Sequence, residues 1–392
     1  MNESDTLNGM AEPKKPNVAI MTHPFLARVG KTPLDNMIAV ARPLANNLII
    51  ITGGDYIPSD CNSQVVRIKA TPRIGFFSRA LEQALVHLRV LRLLFRLRHQ
   101  VDILIFFLGT AFPLPLVFAQ ALQMECLVVL AAMGSGMQIE SIKESHAGWR
   151  LGELTRLRLS DALERVSYHF ADKLIVYSPC VIDIVGLGKY RKKTVIAHRH
   201  FLDFDRYRFK DNIESRQRIV GFIGRLTEDK GILNLIRAIP EILNGRNDVT
   251  FLVIGEGYLT DRIRTYLDEH GLSGKVTLTG FIPHDELPDY LTRMKLLVLP
   301  SYNEGLPNVM LEAMACGTPI LVTPVGCVPD VLEDKHTGFI VYDNSPSRLA
   351  EAVVQTLEYP DMHQVTTNAR ALVENEFRYE KVVGTWEDII CL

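Results

Sequence analysis

Two carboxylates, Glu304 and Glu312, lie eight positions apart around a turn that joins an apolar strand (296–300) to a helix. The pattern predicts a helix that starts near Pro307, at its first helical position, and ends at Gly317. A strand that leads into a helix in this way points the free N–H groups of the helix at a ligand, and these groups suit a phosphate. Carboxylates beside an anion site can accept hydrogen bonds from sugar hydroxyls. The pattern indicates a sugar nucleotide, although a solvated loop glutamate and a glutamate on the outer face of a helix would explain either residue alone.

Longer strings around these glutamates match one family. EGLPNVMLEAMACGTPI (304–320) resembles the signature of retaining glycosyltransferases of family 4. GFIGRLTEDKGILNLIRAI (221–239) and TPVGCVPDVLEDKHTGFIV (323–341) match the same family in its order and at its usual distances. The resemblance covers most of the C-terminal half and is weak in the N-terminal half. It implies an α/β fold of the GT-B type, in which two Rossmann-like, doubly wound parallel-sheet domains face each other across a cleft and a C-terminal helix crosses back to the N-domain.

The resemblance assigns roles to residues of the C-terminal half. Glu304 would contact the hydroxyls of the donor sugar, and Glu312 would contact the ribose hydroxyls. Arg225 and Lys230 would neutralise the departing nucleoside diphosphate, although two surface bases would explain their spacing equally well. The predicted catalytic residues are Glu304, Arg225 and Lys230. The other predicted donor-binding residues are Gly305, Leu306, Pro307 and Asn308 near the phosphate, Phe281 and Ile282 near the base, and the loop glycines Gly224 and Gly30.

The family transfers a sugar with retention of anomeric configuration, by front-face attack in which the leaving phosphate oxygen takes the acceptor's proton. No dedicated base is then needed. The resemblance also implies that the reaction needs no catalytic metal and no other cofactor, because basic residues and backbone amides do what a cation would otherwise do.

Length and composition describe a globular chain with more than one domain. The 392 residues, 47% of them hydrophobic and 22% charged, are enough for two domains with sizeable cores. The formal net charge of -2 gives no global reason to expect a nucleic acid partner. The predicted parts are a disordered leader (1–16), an acceptor domain (17–209), a nucleotide-sugar donor domain (210–373) and a C-terminal helix that packs on the N-domain (374–392).

The N-terminal half departs from the family pattern in its ligand-facing loops. The first loop offers only Gly30 where the family carries paired glycines, and Met133 and Gly134 stand where many relatives place a histidine. His146 could take that role, although a lone histidine is more often structural. The basic residues of segment 195–209 could face an anionic acceptor or only tie the domains together. The acceptor-side candidates are His146, Ser178, Arg199 and His200.

A long helix predicted at residues 79–99 has a basic stripe and an apolar stripe. It could lie on anionic lipid headgroups, or it could pack on the core with solvated arginines. We predict a cytoplasmic protein, with peripheral contact at the inner face of the cell membrane as one alternative. The predicted membrane-surface residues are Arg89, Arg92 and Arg96, and the apolar stripe comprises Ala84, Leu88, Leu91 and Phe95.

These patterns predict an enzyme that moves a sugar from a nucleotide-sugar, most simply a UDP-sugar, to an unidentified acceptor. The acceptor could be a sugar, a glycolipid or a polyprenyl-linked glycan, as in the synthesis of cell-envelope or surface glycans. Two alternatives stay open. One is a sugar-nucleotide epimerase or hydrolase of the same fold, which would process the donor without an acceptor. The other is a non-catalytic sugar-nucleotide-binding subunit.

Overall fold

The structure is a computed structural model that describes residues 15–22, 31–53, 63–70, 76–107, 112–130, 151–209 and 213–391. These residues form two compact units. One unit comprises the described residues up to His200 together with those from Val382 onward, and the other is Phe201–Lys381. The sequence prediction draws these two boundaries at 209/210 and 373/374. Gly30, His146 and residues 1–14 of the predicted leader lie outside the described residues.

The first unit is built on a seven-stranded parallel sheet in the order β3-β2-β1-β4-β5-β6-β7. Its central strand β4 is apolar throughout and buried, which is what a parallel sheet covered on both faces requires. The strand order reverses between β1 and β4, where ligands bind in open α/β sheets. The strands are β1 (Asn17–Thr22), β2 (Asn47–Thr52), β3 (Gln64–Arg67), β4 (Ile103–Phe107), β5 (Glu125–Val129), β6 (Lys173–Val176) and β7 (Thr194–Ile196).

Helices and two 3-10 turns (Arg42–Leu44 and Gly188–Lys193) connect these strands. The third helix contacts both the second and the fourth. None of the described helices has both the length and the apolar character needed to cross a membrane. The helices are α1 (Lys31–Ala41), α2 (Phe76–Leu97), α3 (Pro113–Ala121), α4 (Leu151–Phe170) and α5 (Cys180–Ile184).

The face of α2 that packs on the core differs from the predicted apolar stripe. Val86, Val90 and Leu94 are fully buried, whereas Leu88 and Phe95 of the predicted stripe are 50% and 51% exposed. Both sets recur at helical spacing, so α2 has two apolar faces and packs on the core with only one of them.

The second unit repeats the same topology with a six-stranded parallel sheet in the order β10-β9-β8-β11-β12-β13. The order reverses between β8 and β11. The predicted Rossmann-like parallel sheet is therefore confirmed in this unit. The strands are β8 (Ile219–Ile223), β9 (Thr250–Ile254), β10 (Val276–Gly280), β11 (Leu296–Leu299), β12 (Ile320–Val322) and β13 (Phe339–Ile340).

Apolar helix faces cover this second sheet. Helix α6 shows the pattern, because its isoleucines 232, 236, 239 and 242 recur at helical spacing and are all buried. Short 3-10 turns lie at Ile213–Ser215, Glu228–Lys230 and Val328–Asp330. The helices are α6 (Ile232–Gly245), α7 (Thr260–Glu269), α8 (Leu287–Leu291), α9 (Asn308–Ala315), α10 (Pro346–Leu357) and α11 (Met362–Phe377).

The chain ends in helix α12 (Tyr379–Ile390), most of which belongs to the first unit. Trp386 is fully buried, and its indole N–H donates to the carbonyl oxygen of His198 at 2.8 Å. The Lys173 ammonium donates to the carbonyl oxygen of Ile389 at 2.8 Å. These contacts attach the last helix to the end of β7 and to β6.

Candidate active site

The predicted catalytic residues come after β8 and β11, the two strands between which the order of the second sheet reverses. Lys230 Nζ lies 2.7 Å from Glu304 Oε1, and both side chains are largely shielded from solvent. Arg225 lies in the same turn as Lys230, but its exposed guanidinium pairs with Asp229 at 3.0 Å. The structure therefore brings Lys230 and Glu304 into one ion pair and leaves Arg225 nearby with a different partner.

Short polar side chains position the Glu304 carboxylate. The Ser301 hydroxyl donates to Oε1 at 2.8 Å, which is the oxygen that faces Lys230. The Thr323 hydroxyl, at the end of the neighbouring strand β12, donates to the carbonyl oxygen of Ser301 at 2.5 Å. Because one carboxylate oxygen holds both contacts, the other can accept hydrogen bonds from a sugar.

Two glycines allow the loops of this site to approach each other. Gly231 follows Lys230 with a φ of +64°, and a Cβ there would lie 1.9 Å from the carbonyl oxygen of Pro300. Gly326 has a φ of +59°, and a Cβ there would lie 1.9 Å from the carbonyl oxygen of Glu304. A residue with a side chain rarely adopts this φ, and its Cβ would clash at either position. Glycine therefore lets the loops after β8 and β12 pack against the loop after β11.

The loop that carries Glu304 leads into the N-terminus of α9. Pro307 is the N-cap residue, with an extended backbone, so the prediction that it takes the first helical position is wrong by one residue. The N–H groups of Gly305 and Leu306 donate to no partner among the residues that the structure describes. The Gly305 carbonyl accepts from the Cys327 N–H at 2.9 Å, which holds the loop in place. These N–H groups and the helix N-terminus together suit an anionic group.

A pocket of about 310 Å³ opens at the carboxyl ends of β8, β9 and β10. Phe281 lines it with 73% of its surface exposed, and the backbone N–H of Phe281 donates to Glu256 at 3.3 Å. An accessible aromatic ring beside apolar side chains suits a planar nucleobase. The predicted site residues that line this pocket are Gly224, Arg225, Phe281 and Ile282.

Glu312 lies inside α9 and is 2% exposed, so the alternative of a solvated glutamate on the outer face of the helix is wrong. His284, which lines the pocket, places Nε2 2.9 Å from Glu312 Oε1 and 3.1 Å from the Tyr207 hydroxyl. Because a carboxylate only accepts, the Nε2 proton is donated to Glu312. This hydrogen bond raises the pKa of His284, while burial and then the charge of Glu312 raise the pKa of Tyr207. Glu312 is thus linked to the pocket through His284.

The sequence prediction omits His284, Tyr207 and Ser301. His284 stands three positions after Phe281, so its place in a ligand-facing loop was a signal that could have identified it. Ser301 could have been identified in the same way, because it lies just after β11 in a ligand-facing loop. Tyr207 carries no local signal, because its contact with His284 depends on tertiary packing.

The acceptor-side candidates that the structure describes come after β6 and β7. Ser178 is buried just after β6. The Arg199 guanidinium lies over the rings of Phe107 and Tyr177, with its Cζ 5.6 Å and 5.7 Å from their centroids. His200 Nδ1 lies 3.4 Å from the side-chain nitrogen of Asn36. Arg199 is the candidate among these whose charged group lies over the carboxyl ends of β4 and β6.

The three predicted membrane-surface arginines do not share one environment. Arg89 pairs with the buried Glu82 at 2.9 Å. Arg92 and Arg96 are exposed, on the same side of α2 as Leu88 and Phe95. The exposed face of α2 therefore carries two of the three predicted basic residues together with apolar side chains.

Almost the whole chain aligns with solved structures, one of which is described as a glycosyltransferase of Rickettsia africae and gives a TM-score of 0.70 at 16% identity, over 96% of this chain and 98% of that one. It aligns with Alr3699/HepE of Anabaena in complex with UDP at a TM-score of 0.74 and 15% identity, over 95% of this chain and 99% of that one. The complex of the same protein with UDP-glucose gives a TM-score of 0.70 and 17% identity, over 96% and 100%. The fold of this protein is therefore that of the GT-B glycosyltransferases, as the sequence predicts.

The second unit also matches a family by sequence. Residues 203–372 match the family model described as Glycosyl transferases group 1. The chain is 32% identical to 2-deoxystreptamine glucosyltransferase of Streptomyces kanamyceticus over 142 residues, which are 36% of this chain and 37% of that protein. Matches to this and other curated relatives span less than half the length of those proteins.

Proposed function

We propose that this protein is a retaining glycosyltransferase that moves a hexose from a UDP-sugar to an acceptor. The observation that carries the proposal is the Lys230–Glu304 ion pair at the reversal of the second sheet. Arg225, in the same turn as Lys230, lines the pocket that His284 links to Glu312. A base bound near Phe281 would place its ribose toward His284 and Glu312. The structures of the Anabaena protein with UDP and UDP-glucose, and the glucosyltransferase named above, support UDP-glucose as the first donor to test.

In this proposal, binding of the donor breaks the ion pair between Lys230 and Glu304. Lys230 and Glu304 neutralise each other in the free protein. A diphosphate competes for the Lys230 ammonium, and the released Glu304 carboxylate then accepts from sugar hydroxyls and faces the positive charge that develops on the sugar ring. Arg225 and the N–H groups of Gly305 and Leu306 supply further donors to the departing diphosphate. Front-face attack, in which the leaving phosphate oxygen takes the acceptor's proton, retains the anomeric configuration.

A transfer assay tests this function directly. Labelled UDP-glucose is incubated with the full chain and with extracts that contain sugars, glycolipids and polyprenyl-linked glycans, and both UDP release and the labelled product are measured. We expect acceptor-dependent transfer, and nuclear magnetic resonance of the product should show the anomeric configuration of the donor. Conversion of UDP-glucose without any acceptor would instead identify an epimerase or hydrolase. Nucleotide binding without turnover on every extract would identify a non-catalytic subunit.

We propose that the reaction needs no metal, because cationic side chains and amide N–H groups are available to the diphosphate. Transfer should therefore keep its rate after exhaustive treatment with EDTA and dialysis. Loss of activity on chelation, restored by Mg²⁺ or Mn²⁺, would contradict this part of the proposal.

We further propose that the protein works at the cytoplasmic face of an anionic membrane, through a surface formed by α2, α3 and α4. Nine of the fourteen large apolar or aromatic side chains that are exposed among the described residues lie on these three helices. The described acidic side chains of the same helices, Glu82, Asp161 and Glu164, are buried or paired with arginine. Apolar side chains with exposed arginines suit anionic headgroups. The nine are Leu81, Leu88, Phe95, Leu114, Val117, Leu159, Leu163, Val166 and Phe170.

Vesicle co-sedimentation tests the membrane contact. The protein should sediment with phosphatidylcholine vesicles that contain phosphatidylglycerol, and pure phosphatidylcholine should bind less. The double variant Arg92→Glu/Arg96→Glu should bind the anionic vesicles at least about tenfold more weakly, because each lost cation costs about 1 kcal/mol near an anionic surface and each new acid is repelled. The matched control is Arg262→Glu/Arg264→Glu on α7. Equal binding by both double variants would contradict the proposed surface.

A further inference from the structure

Arg199 differs from the other shielded arginines of the chain. Arg216 donates to three oxygen atoms, those of Met294, Thr318 and Cys316, and Arg370 donates to two carbonyl oxygens and to Glu374. Arg199 is half-buried and forms no hydrogen bond or ion pair with any residue that the structure describes. None of the described residues therefore accepts from the five N–H donors of its guanidinium.

The fold holds this guanidinium over the carboxyl edge of the first sheet. Arg199 comes after β7, whose chain is anchored by the hydrogen bond from Trp386 to the His198 carbonyl oxygen. From that edge strand the side chain reaches inward over Phe107, the last residue of β4, and over Tyr177, which follows β6. Strand β4 borders the reversal of the strand order, so the charge is held close to the place where sheets of this topology bind ligands.

The surroundings of Arg199 favour an anion. Two aromatic faces attract the cation but accept few of its hydrogen bonds, so part of its hydration is lost without replacement. Burial accordingly lowers the pKa of Arg199. A planar, bidentate oxyanion would supply the acceptors that the described neighbours of Arg199 do not, with the geometry that a guanidinium matches best.

We propose that Arg199 binds a phosphate or carboxylate group of the acceptor, so that the sugar is transferred to an anionic acceptor. This inference rests on the proposed transferase function, and it assigns the acceptor to the first unit and the donor to the second. The anionic group could belong to a water-soluble sugar or to a lipid headgroup, because both present the same chemistry to Arg199.

Phosphate titration into the UDP-saturated protein tests the proposal, because UDP then occupies the donor site. Isothermal calorimetry should detect binding of inorganic phosphate to the wild type, weakened about tenfold or more in Arg199→Gln. Arg199→Lys should lie between them, since it keeps the charge and loses the planar fork. The control Arg191→Gln, at an exposed arginine of the same unit, should bind phosphate as the wild type does. All four proteins should bind UDP equally, and this readout separates the proposal from the proposed donor site.

Competition identifies the source of the anion. Glucose 6-phosphate should displace phosphate if the acceptor is a soluble sugar, and phosphatidylcholine vesicles with phosphatidic acid should displace it if the acceptor is a lipid. Either displacement supports the proposal if it is seen in the wild type and is absent in Arg199→Gln. Equal phosphate binding by Arg199→Gln would overturn the proposal, and so would loss of UDP binding in that variant, because Arg199 would then belong to the donor site. Phosphate binding that neither competitor affects would mark an adventitious ion only.

Discussion

At the scale of single residues, the proposed site contains two pairs of side chains that bind each other when no ligand is present. Lys230 forms an ion pair with Glu304, and His284 forms a hydrogen bond with Glu312. Lys230 and Glu304 lie in loops after two different strands of one sheet, and His284 joins a third loop of that sheet to helix α9. Their geometry makes two predictions, one about catalysis and one about the dependence of stability on pH.

Removing the Lys230 charge should impair catalysis more than folding. We expect Lys230→Met to lower kcat/KM by about 10²–10³, because it removes a donor to the charge that develops on the diphosphate. The free energy of unfolding should fall by about 1–3 kcal/mol, because the shielded Glu304 carboxylate loses its cation but keeps the hydrogen bond from Ser301. Steady-state kinetics and urea denaturation measure the two effects, with the exposed Lys192→Met as control. Wild-type kinetics in Lys230→Met would show that this lysine is structural.

The His284–Glu312 hydrogen bond should make stability depend on pH near neutrality. The pKa of His284 is raised above the ordinary histidine value, so its stabilising contribution is fully present below that value and is lost as the pH rises through the folded-state pKa. The wild type should therefore exceed His284→Gln in Tm most at pH 5.5 to 6 and least above pH 8. Because His284 is half exposed, the change should not exceed about 1 kcal/mol, or roughly 2–4 °C. A Tm difference that grows as the pH rises would contradict this assignment.

At the scale of elements, the loop after β8 can approach the loop after β11 because a glycine, Gly231, lies at their point of contact. Gly231 and Gly271 have the same φ of +64°, but only Gly231 faces a backbone atom, the Pro300 carbonyl oxygen. Gly271→Ala should therefore cost about 1–2 kcal/mol from backbone strain alone. Gly231→Ala should cost roughly 2 kcal/mol more, because its Cβ displaces the end of β11. Urea denaturation of both variants measures this difference, and equal losses would show that the loops do not need this contact.

The sequence of the C-terminal half was sufficient to predict strands β8–β11 and most of its helices, because hydrophobic periodicity and turn residues are local. It did not predict the short strands β12 and β13 or helix α11. It could not show that Lys230 and Glu304 pair, or that His284 covers Glu312, since both contacts join distant parts of the chain. Helix α2 illustrates the same limit. The sequence shows both apolar faces of this helix. It does not show which face packs on the core, because that depends on how the helix lies on the sheet.

At the scale of the whole molecule, the chain repeats one topology twice, and the two units differ in the side chains at the carboxyl ends of their strands. The second unit places acids, bases and amide N–H groups at the reversal of its sheet, in the part of the chain that matches the glycosyl transferases group 1 model. The first unit instead places Arg199 over aromatic rings, in a part outside that match. This division could not be predicted in full from the sequence, because the resemblance is weak in the N-terminal half.

The most direct test of the donor site is calorimetric titration of UDP, GDP and ADP into the wild type, Arg225→Ala and Glu312→Gln. The controls are Arg262→Ala and Glu269→Gln on α7, which lie outside the proposed site. We predict that the wild type and both controls prefer UDP, and that Arg225→Ala and Glu312→Gln each weaken its binding about tenfold or more. If no nucleotide bound, or if the two site variants bound UDP as tightly as the controls, the second unit would not hold the donor and the proposed function would fail.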